Sequence, residues 1–358
     1  MTLIVEPDPP YVRWCSIASG TRVEHAHEFG PGWMSAVLNE SERGERIEAV
    51  GYLLYHGGEI IKEPVTRLSP PVLDALEQAV AFLPEHNGMT SNIARQLTTR
   101  LSDTPHFLFC DTAFFSDLPP EASTYAVPYA LREQGIRRYG GYGLFHQFAW
   151  ERAQDLLTPR PVKLVSVYLG NHTNVAAISG GKVVETSIGF TPVEGTISVN
   201  SCGDIDPTIV FQLIAAGMTL SEINRTLTQE SGFSGILNRP CTFKEIVTGT
   251  VEPGMTFVRE KLLYDLNRYI GAFAAALGGL DALVVLADDI EESLGFVASV
   301  CDSLKFLGLK PSDSVKESEG WRILTEPDSP IQALCVKANT WNIINQTMII
   351  LTNKEKSQ

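Results

Sequence analysis

Apolar and polar residues alternate along the chain in a way that separates strand-like from helix-like segments. Three short runs rich in β-branched and aromatic residues come first, separated by turn formers; they are residues 3–6 (LIVE), 11–17 (YVRWCSI) and 21–29 (TRVEHAHEF). The same order returns in residues 163–169 (KLVSVYL), 173–179 (TNVAAIS) and 182–190 (KVVETSIGF). The two glycines before the last run favour a tight hairpin, because both central positions of such a turn need positive φ. Two three-stranded antiparallel meanders are therefore predicted. Their similarity indicates either a duplicated fold with a cleft between its halves or a chance resemblance of two β-rich segments.

Helical periodicity marks longer segments between these strands. Helices are predicted over residues 71–83, 92–101, 256–277 and 339–350, with a turn over residues 84–88 between the first two. Residues 106–110 (HFLFC) and 282–287 (ALVVLA) are apolar runs of strand length, and the alternation of strands with helices predicts an α/β fold. Asp111 directly follows the first of these runs, so its carboxylate is predicted to lie in the crevice where α/β sheets bind ligands.

Composition and charge narrow the class of protein. The 358 residues suffice for two domains or one large one, and the 44% hydrophobic and 20% charged content is typical of a globular chain. The formal charge of −14 repels phosphate backbones and anionic lipid surfaces, so neither a nucleic acid nor a membrane is expected as a partner. The six cysteines lie far apart without a C-x-x-C pair, and the first residues lack the pattern of a secretory signal. These features favour buried, reduced thiols in a cytoplasmic protein.

Common catalytic motifs are missing from the sequence. It contains no G-x-x-x-x-G-K-[ST] phosphate loop, no G-x-S-x-G nucleophile elbow and no H-E-x-x-H zinc helix. His25 and His27 would share one face of a strand, which fits either a metal site or a solvated edge strand. The pair Gly141 and Gly143 is too short to be a dinucleotide fingerprint and predicts a flexible loop.

Eight strings, in this order and at matching spacing, resemble a known family. They are HGGE (56–59), FCDTAF (109–114), VPYALREQGIRRYG (127–140), YLGN (168–171), SIGFTPVEG (187–195), GDIDP (203–207), RYIGAFAAALGGLDALVVLA (268–287) and KFLGL (305–309). The chain resembles the acetokinase family, the acetate, propionate and butyrate kinases, over nearly its whole length.

The resemblance implies an α/β fold of two ribonuclease-H-like lobes of the actin, sugar-kinase and Hsp70 type, with Mg-ATP in the cleft between them. Residues 1–113 with 341–358 would form the N-terminal lobe, and residues 114–340 would form the C-terminal lobe, through which a homodimer is expected. The implied reaction moves the γ-phosphoryl group of ATP onto a short carboxylate such as acetate and gives an acyl phosphate. Because two anions meet in that step, it depends on cationic donors, Mg²⁺ and backbone amides that neutralise the transferring group.

Most positions that carry this chemistry in the family hold other residues here. Leu53 stands where the family has the arginine that clamps the carboxylate substrate, Ser201 replaces the catalytic arginine, and Tyr142 replaces a histidine that contacts the transferring phosphoryl group. Residues 6–11 (EPDPPY) replace a Gly- and Ser-rich phosphate loop, and their three prolines remove amide donors. Residues 288–292 (DDIEE) place four carboxylates beside the implied adenosine site, where they would discourage ATP or form a solvated loop.

Other polar positions of the family are retained. Asp111 would bind a cation, or would be a carboxylate hydrogen-bonded at a lobe junction. Gly170 and Asn171 would contact nucleotide phosphate or simply close a hairpin. Asp204 has an implied role in nucleotide binding, and with Asp206 it would otherwise cap the following helix. The implied substrate pocket retains three residues, which are His86, Pro192 and His146. His86 would otherwise cap or brace the turn after a helix.

The retained scaffold and the lost cations together predict a degenerate acetokinase, with little or no acetyl phosphate formation and a binding or regulatory role. The alternative is an active carboxylate kinase of altered specificity, in which Arg13, Arg137, Arg138 or Lys244 neutralises the phosphate. A third interpretation is an oligomeric partner that associates with an active acetokinase.

Overall fold

The computed structural model of the chain describes residues 1–18, 21–41, 46–249, 252–318 and 320–356. The chain divides into two compact units, each with its own mixed sheet. Unit 1 comprises Met1–Ser116, Gly141–Leu144 and Asn339–Gln358, and unit 2 comprises Asp117–Gly140 and Phe145–Ala338.

Strands and helices alternate through most of the chain. The strands are β1 (Thr2–Asp8), β2 (Tyr11–Ala18), β3 (Thr21–Glu28), β4 (Ala49–Leu54), β5 (Val65–Arg67), β6 (His106–Cys110), β7 (Lys163–Leu169), β8 (Asn174–Ser179), β9 (Lys182–Thr186), β10 (Ala282–Ala287), β11 (Pro311–Ser318), β12 (Trp321–Thr325) and β13 (Gln332–Lys337). The α-helices are α1 (Trp33–Ser41), α2 (Pro70–Ala79), α3 (Pro84–Arg100), α4 (Pro120–Ser123), α5 (Tyr129–Glu133), α6 (Gly143–Leu156), α7 (Thr208–Ala215), α8 (Leu220–Gln229), α9 (Gly232–Leu237), α10 (Phe243–Thr248), α11 (Pro253–Ala276), α12 (Ile290–Ser303) and α13 (Thr340–Lys356). Short 3₁₀ turns cover Val80–Phe82, Asp111–Phe115 and Lys305–Leu307.

The two sheets share the topology of five of their strands. The unit 1 sheet has the order β3-β2-β1-β4-β6-β5, and the unit 2 sheet has the order β11-β12-β13-β10-β7-β8-β9. In each, an antiparallel meander (β1-β2-β3 or β7-β8-β9) is followed by two further strands parallel to its first strand. Both predicted meanders are therefore confirmed, and the shared strand order is the one that a duplicated fold would have. The carboxyl ends of β1, β4 and β6 lie at one edge of the unit 1 sheet.

Unit 1 packs helices α3 and α13 against its sheet. Ile93, Ala94 and Leu97 of α3 are fully or almost fully buried, and a side chain of the size of Ile93 or Leu97 contributes about 1.5–3 kcal/mol on burial. Gly51 in β4 allows the close approach of α13, since a Cβ there would lie 2.6 Å from the sulfur of Met348.

Unit 2 is organised around the long helix α11, which packs against β7, β8 and β9. Its residues Leu262, Leu266 and Ile270 recur at helical spacing and are 0% exposed. Helix α11 ends before Gly278 and Gly279, both of which have positive φ, as the sequence predicted for this glycine pair.

Several sequence predictions need correction. Residues 84–88 are not a turn: Pro84 occupies the first position of α3, where a missing N–H costs nothing. Helix α13 continues to Lys356, six residues beyond the predicted end, and Gly143 starts α6 rather than lying in a flexible loop. Of residues 288–292, the last three form the first turn of α12, which Asp289 caps by accepting the amide of Glu292. The predicted turn at residues 18–20 falls partly outside the described residues.

The six cysteines are free; four are buried, whereas Cys202 and Cys241 are half-buried, so the prediction of buried thiols is only partly right. Within the described ranges, no helix is long and apolar enough to cross a membrane. The same part of the chain holds no group of three or more His, Cys, Asp or Glu residues that could bind a metal ion.

Candidate functional site

Three polar residues lie where the parallel strands of unit 1 end. Glu6 is near the end of β1, Tyr55 follows β4, and Asp111 follows β6. Because these strand ends meet at one edge, the side chains are neighbours, and this is the edge at which α/β sheets bind ligands. With Arg13 and His86, which contact Glu6 and Tyr55 respectively, they form what we call the unit 1 polar cluster.

The carboxylate of Glu6 is buried and has two partners. The Tyr55 hydroxyl donates to its Oε1 at 2.9 Å, and an Nη1 atom of Arg13 lies 3.4 Å from its Oε2. Burial raises the pKa of Glu6, and the positive charge of Arg13 partly offsets this increase. The guanidinium of Arg13 also lies over the ring of Trp341, 5.5 Å from its centre. Arg13 is therefore held by both a carboxylate and an aromatic ring.

The carboxylate of Asp111 is buried and accepts hydrogen bonds from backbone amides of a later segment. Its Oδ2 accepts the amide of Tyr142 at 2.5 Å, and its Oδ1 accepts the amide of Leu144 at 3.2 Å. Burial raises the pKa of Asp111 to about 7, although these amide bonds act in the opposite direction. Tyr142 adopts a left-handed φ of 59°, and a Cβ on Gly143 would lie 2.1 Å from the Asp111 carbonyl oxygen. Each carboxylate oxygen thus accepts one backbone amide.

The turn between β1 and β2 consists of Pro9 and Pro10 alone. The strand register pairs Asp8 with Tyr11 and Pro7 with Val12, so no loop residue projects beyond the hairpin. A proline has no N–H group, so the two turn positions offer a phosphate no backbone donor.

His86 and Leu53 occupy different environments within unit 1. His86 lies in the first turn of α3, so the prediction that it caps or braces a turn after a helix is wrong. Its ring meets that of Tyr55 edge-on at 5.2 Å, and burial lowers the pKa of His86 and favours a neutral ring. Leu53 is a buried residue of β4, only 3% exposed, whose carbonyl oxygen accepts the hydroxyl of Thr90.

In unit 2, the residues predicted to contact phosphate stabilise local structure. Gly170 and Asn171 follow β7; the carbonyl of Gly170 accepts the hydroxyl of Thr173 at 3.1 Å, and that of Asn171 accepts the amide of Val199 at 2.9 Å. Ser201 is 2% exposed, and its hydroxyl has no hydrogen-bond partner among the residues described. A short buried hydroxyl at this position cannot supply the charge of an arginine.

Asp204 and Asp206 have different partners. Asp204 accepts the amide of Gly195 at 2.9 Å and the hydroxyl of Tyr269 at 2.5 Å, so it does not cap α7 as the sequence predicted. Asp206 accepts the amide of Thr208 at 2.9 Å, which confirms its predicted role at the start of that helix.

The last two predicted site residues, Pro192 and His146, differ in solvent exposure. Pro192 is exposed, whereas His146 is 0% exposed and its ring nitrogens contact the Ser166 hydroxyl at 2.9 Å and the Asn174 side-chain oxygen at 2.7 Å. Burial lowers the pKa of His146 to about 4, so the ring is neutral at physiological pH. His146 is closed to solvent within unit 2.

Comparison with known proteins decides the family. The family model described as "Acetokinase family" matches residues 24–346. The chain belongs to the acetokinase family. It is 32% identical over 338 residues to the acetate kinase of Bacteroides fragilis, covering 91% of this chain and 85% of that one. It is 35% identical over 305 residues to the acetate kinase of Symbiobacterium thermophilum, covering 82% and 76%.

Solved structures agree on the fold of this acetokinase-family chain. The crystal structure of Porphyromonas gingivalis acetate kinase matches with a TM-score of 0.84 at 24% identity, covering 98% of this chain and 99% of that one. The acetate kinase of Entamoeba histolytica matches with the same TM-score at 21% identity, covering 97% and 98%. The predicted α/β fold of the ribonuclease-H-like, actin and sugar-kinase type is therefore confirmed.

The cations named as substitutes for the missing arginines of the acetokinase family have partners of their own. Arg138 lies 2.8 Å from Glu185 and 3.3 Å from Glu194, and it also donates to the carbonyl of Thr186. Lys244 forms an ion pair with Glu292. Arg13 contacts Glu6 and the ring of Trp341, and the Arg137 guanidinium lies over the ring of Tyr139 at 5.6 Å.

The ion pair between Glu6 and Arg13 was missed by sequence reasoning, although a signal for it exists. With a two-residue turn at residues 9–10, the strand register of an antiparallel hairpin places residue 6 opposite residue 13. Counting outward from the prolines would have predicted this pair. The contact of Tyr55 with Glu6 could not be counted in this way, because β4 joins β1 only through the parallel sheet.

Proposed function

We propose that this member of the acetokinase family has lost most or all of the ability to phosphorylate short carboxylates and acts as a binding or regulatory protein. The observation that carries the proposal is that Arg13, Arg138 and Lys244 are all engaged by carboxylates. A phosphate would have to displace those carboxylates before it could use the same positive charges.

The size of the expected loss follows from the replaced residues. Removing one donor that stabilises transition-state charge typically lowers the rate by about 10² to 10³. Leu53, Tyr142 and Ser201 stand at three positions to which the resemblance assigns such roles, and two of them, Leu53 and Ser201, are buried. Losses in one site are not additive, yet a decrease of at least about 10³ is expected.

The residues at the implied nucleotide phosphates do not fit Mg-ATP. The β1–β2 turn offers no amide at Pro9 or Pro10, and the carboxylates of Glu6 and Asp8 lie in the adjoining residues of β1. Each carboxylate oxygen of Asp111 already accepts a backbone amide, which leaves it fewer lone pairs for coordinating Mg²⁺. A protein of this kind is expected to bind the nucleotide weakly or not at all.

The second candidate function is an active carboxylate kinase of changed specificity. Asp111 favours it, because this carboxylate is retained at the ligand-binding edge of the unit 1 sheet and has a pKa of about 7. An acid with such a pKa can exchange a proton near neutral pH. The substrate would then have to be one whose negative charge can be neutralised without the missing arginines.

A hydroxamate assay with acetate, propionate and butyrate tests the proposal directly. The acetate kinase of Bacteroides fragilis, assayed in parallel, provides the reference rate. We expect turnover at least about 10³-fold below that reference with all three acids. Turnover within tenfold of it would refute the loss of function.

Nucleotide binding separates the two candidates. Titration with Mg-ATP and Mg-ADP should leave the melting temperature of a non-catalytic protein unchanged, whereas an active kinase should be stabilised. The same titration of the reference enzyme shows that the assay detects binding.

We also propose a homodimer in the cytoplasm that forms through unit 2. Helix α7 supports this, because Ile209, Phe211 and Ile214 are 42%, 66% and 45% exposed on one short helix. Light scattering after size exclusion should give a dimer, and Phe211→Glu should dissociate it. Phe306→Glu, at a phenylalanine that is 75% exposed in the same unit, is the matched control.

Association with an active acetokinase is a further form of this proposal. Co-expression with one tagged active acetokinase, followed by light scattering of the purified complex, should then give a heterodimer. Exclusive recovery of the two homodimers would rule out this association.

A further inference from the structure

A cavity of about 340 Å³ opens at the surface of unit 1, at the opposite edge of the sheet from the unit 1 polar cluster. Its lining residues are Arg46, Ile47, Arg100, Leu101, Ser102, Asp103 and Thr104. Residues 46–47 precede β4 and residues 102–104 precede β6, whereas the polar cluster lies beyond the carboxyl ends of these strands. The cavity is therefore separate from the site inherited from the acetokinase family.

Two arginines on different segments line this cavity. Among the described residues, no ion pair joins Arg46 or Arg100 to a carboxylate, even though Asp103 lines the same cavity. Several other arginines of this acidic chain are held by carboxylates, as Arg95 and Arg322 illustrate. Two arginines from different segments line one cavity in a chain of net charge −14, and this local positive charge would attract an anionic ligand.

The backbone that carries these arginines is anchored. The amide of Glu48 donates to the Met1 carbonyl at 2.8 Å, and the amide of Val50 donates to the Pro105 carbonyl at 3.0 Å. The amide of Thr104 closes the turn after α3 by donating to the carbonyl of Leu101 at 3.0 Å. A fixed backbone lowers the entropic cost of binding, because only the long side chains must be ordered.

The chemistry of the lining selects the class of ligand. Guanidinium groups bind phosphate through paired, charge-assisted hydrogen bonds, and the hydroxyls of Ser102 and Thr104 can donate to further phosphate oxygens. Asp103 can accept a hydroxyl of the ligand but would repel a second anionic group. The volume lies at the lower end of the range for small-molecule sites.

We propose that this cavity, the Arg46–Arg100 pocket, binds the phosphate group of a small hydroxylated phosphate monoester. The two guanidinium groups and the hydroxyls hold the phosphate, and Asp103 holds a hydroxyl group of the remainder. This site is independent of the proposed function, because none of its residues belongs to the polar cluster or to unit 2.

Isothermal titration of the full-length protein with glycerol 3-phosphate, inorganic phosphate and citrate, at constant ionic strength, tests the proposal. We expect saturable binding of both phosphates, tighter for glycerol 3-phosphate, and at least tenfold weaker binding of citrate. The variant R46Q/R100Q should lose at least tenfold in affinity for both phosphates, since a hydrogen bond to a charged group typically contributes enough for this change. R160Q, which removes an exposed arginine of unit 2, should bind as the wild type does.

Each variant needs an unchanged circular dichroism spectrum, and the single variants R46Q and R100Q serve if the double variant does not fold. D103N should reduce the preference for glycerol 3-phosphate over inorganic phosphate and leave phosphate binding itself intact. Absence of saturable binding by the wild type would overturn the proposal. Equal binding by R46Q/R100Q would overturn it as well, because the phosphate would then bind elsewhere, and equal binding of citrate would overturn the assigned ligand class.

Discussion

Asp111 should make the stability of unit 1 decrease as the pH rises from acid to neutral. In the unfolded chain this carboxyl group has an ordinary pKa of 3.8, whereas burial raises its pKa to about 7 in the folded protein. Below pH 3.8 the group is protonated in both states. Between these two values only the unfolded state releases the proton, so the unfolded state gains free energy relative to the folded one.

The magnitude follows from the two pKa values. Their difference corresponds to about 4 kcal/mol in total, with a limiting slope of about 1.4 kcal/mol per pH unit. Between pH 4.5 and 8 the contribution of Asp111 to the free energy of unfolding should fall by about 3 kcal/mol. Asp111→Asn removes this titration, at a cost that does not depend on pH, because the Asn NH₂ group would face one of the two amides that the carboxylate now accepts.

Urea unfolding at several pH values between 4.5 and 8, for the wild type, D111N and D74N, measures the effect. Asp74 is an exposed carboxylate of the same unit, paired only at the surface with Arg95, so D74N is the matched control. Hydrogen exchange of amides in β4 and β6 follows unit 1 separately, since two units need not unfold together. The wild type and D74N should lose stability in parallel, and D111N should not share the decrease. Parallel curves for the wild type and D111N would refute the reasoning.

Three other variants test the energetics of the two units. As the pH falls from 6.5 to 4, the free energy of unfolding of the wild type should decrease by about 3 kcal/mol through His146. Burial lowers the pKa of this ring to about 4, so protonation in this range favours the unfolded state. The denaturation of H146Q should lack this decrease. Tyr55→Phe removes the donor to buried Glu6 and should cost about 1–3 kcal/mol at pH 7 in urea denaturation, with an unchanged stability counting against the hydrogen bond. Leu266→Ala should cost about 2–5 kcal/mol in thermal or urea unfolding, whereas Phe257→Ala, at a side chain that is 56% exposed, should change stability by less than about 0.5 kcal/mol; similar losses for both would contradict the assignment of the core.

Secondary structure was predicted correctly from the sequence where the residues of one short segment determine it by themselves. The strand β6 and the helix stop at Gly278 and Gly279 follow from apolar runs and from glycine's freedom at positive φ, and both were predicted. The start of α3 was missed because Pro84 signals both a turn and a first helical position. Which of the two applies depends on contacts beyond the segment, such as the bonds from the Asn87 side chain to the carbonyls of Ala79 and His56.

The amino-acid sequence alone determined the duplicated α/β architecture, the family and the absence of arginine at positions 53 and 201, since periodicity, motif order and residue identity are properties of the chain itself. Tertiary structure decided which partners the remaining charged side chains have and how deeply they are buried. The sequence names Arg13, Arg138 and Lys244 as available cations, but their carboxylate partners are set by strand register and by packing between distant segments. The same holds for Asp111, whose pKa depends on how deeply the fold buries it, because desolvation is a property of the surroundings and not of the residue.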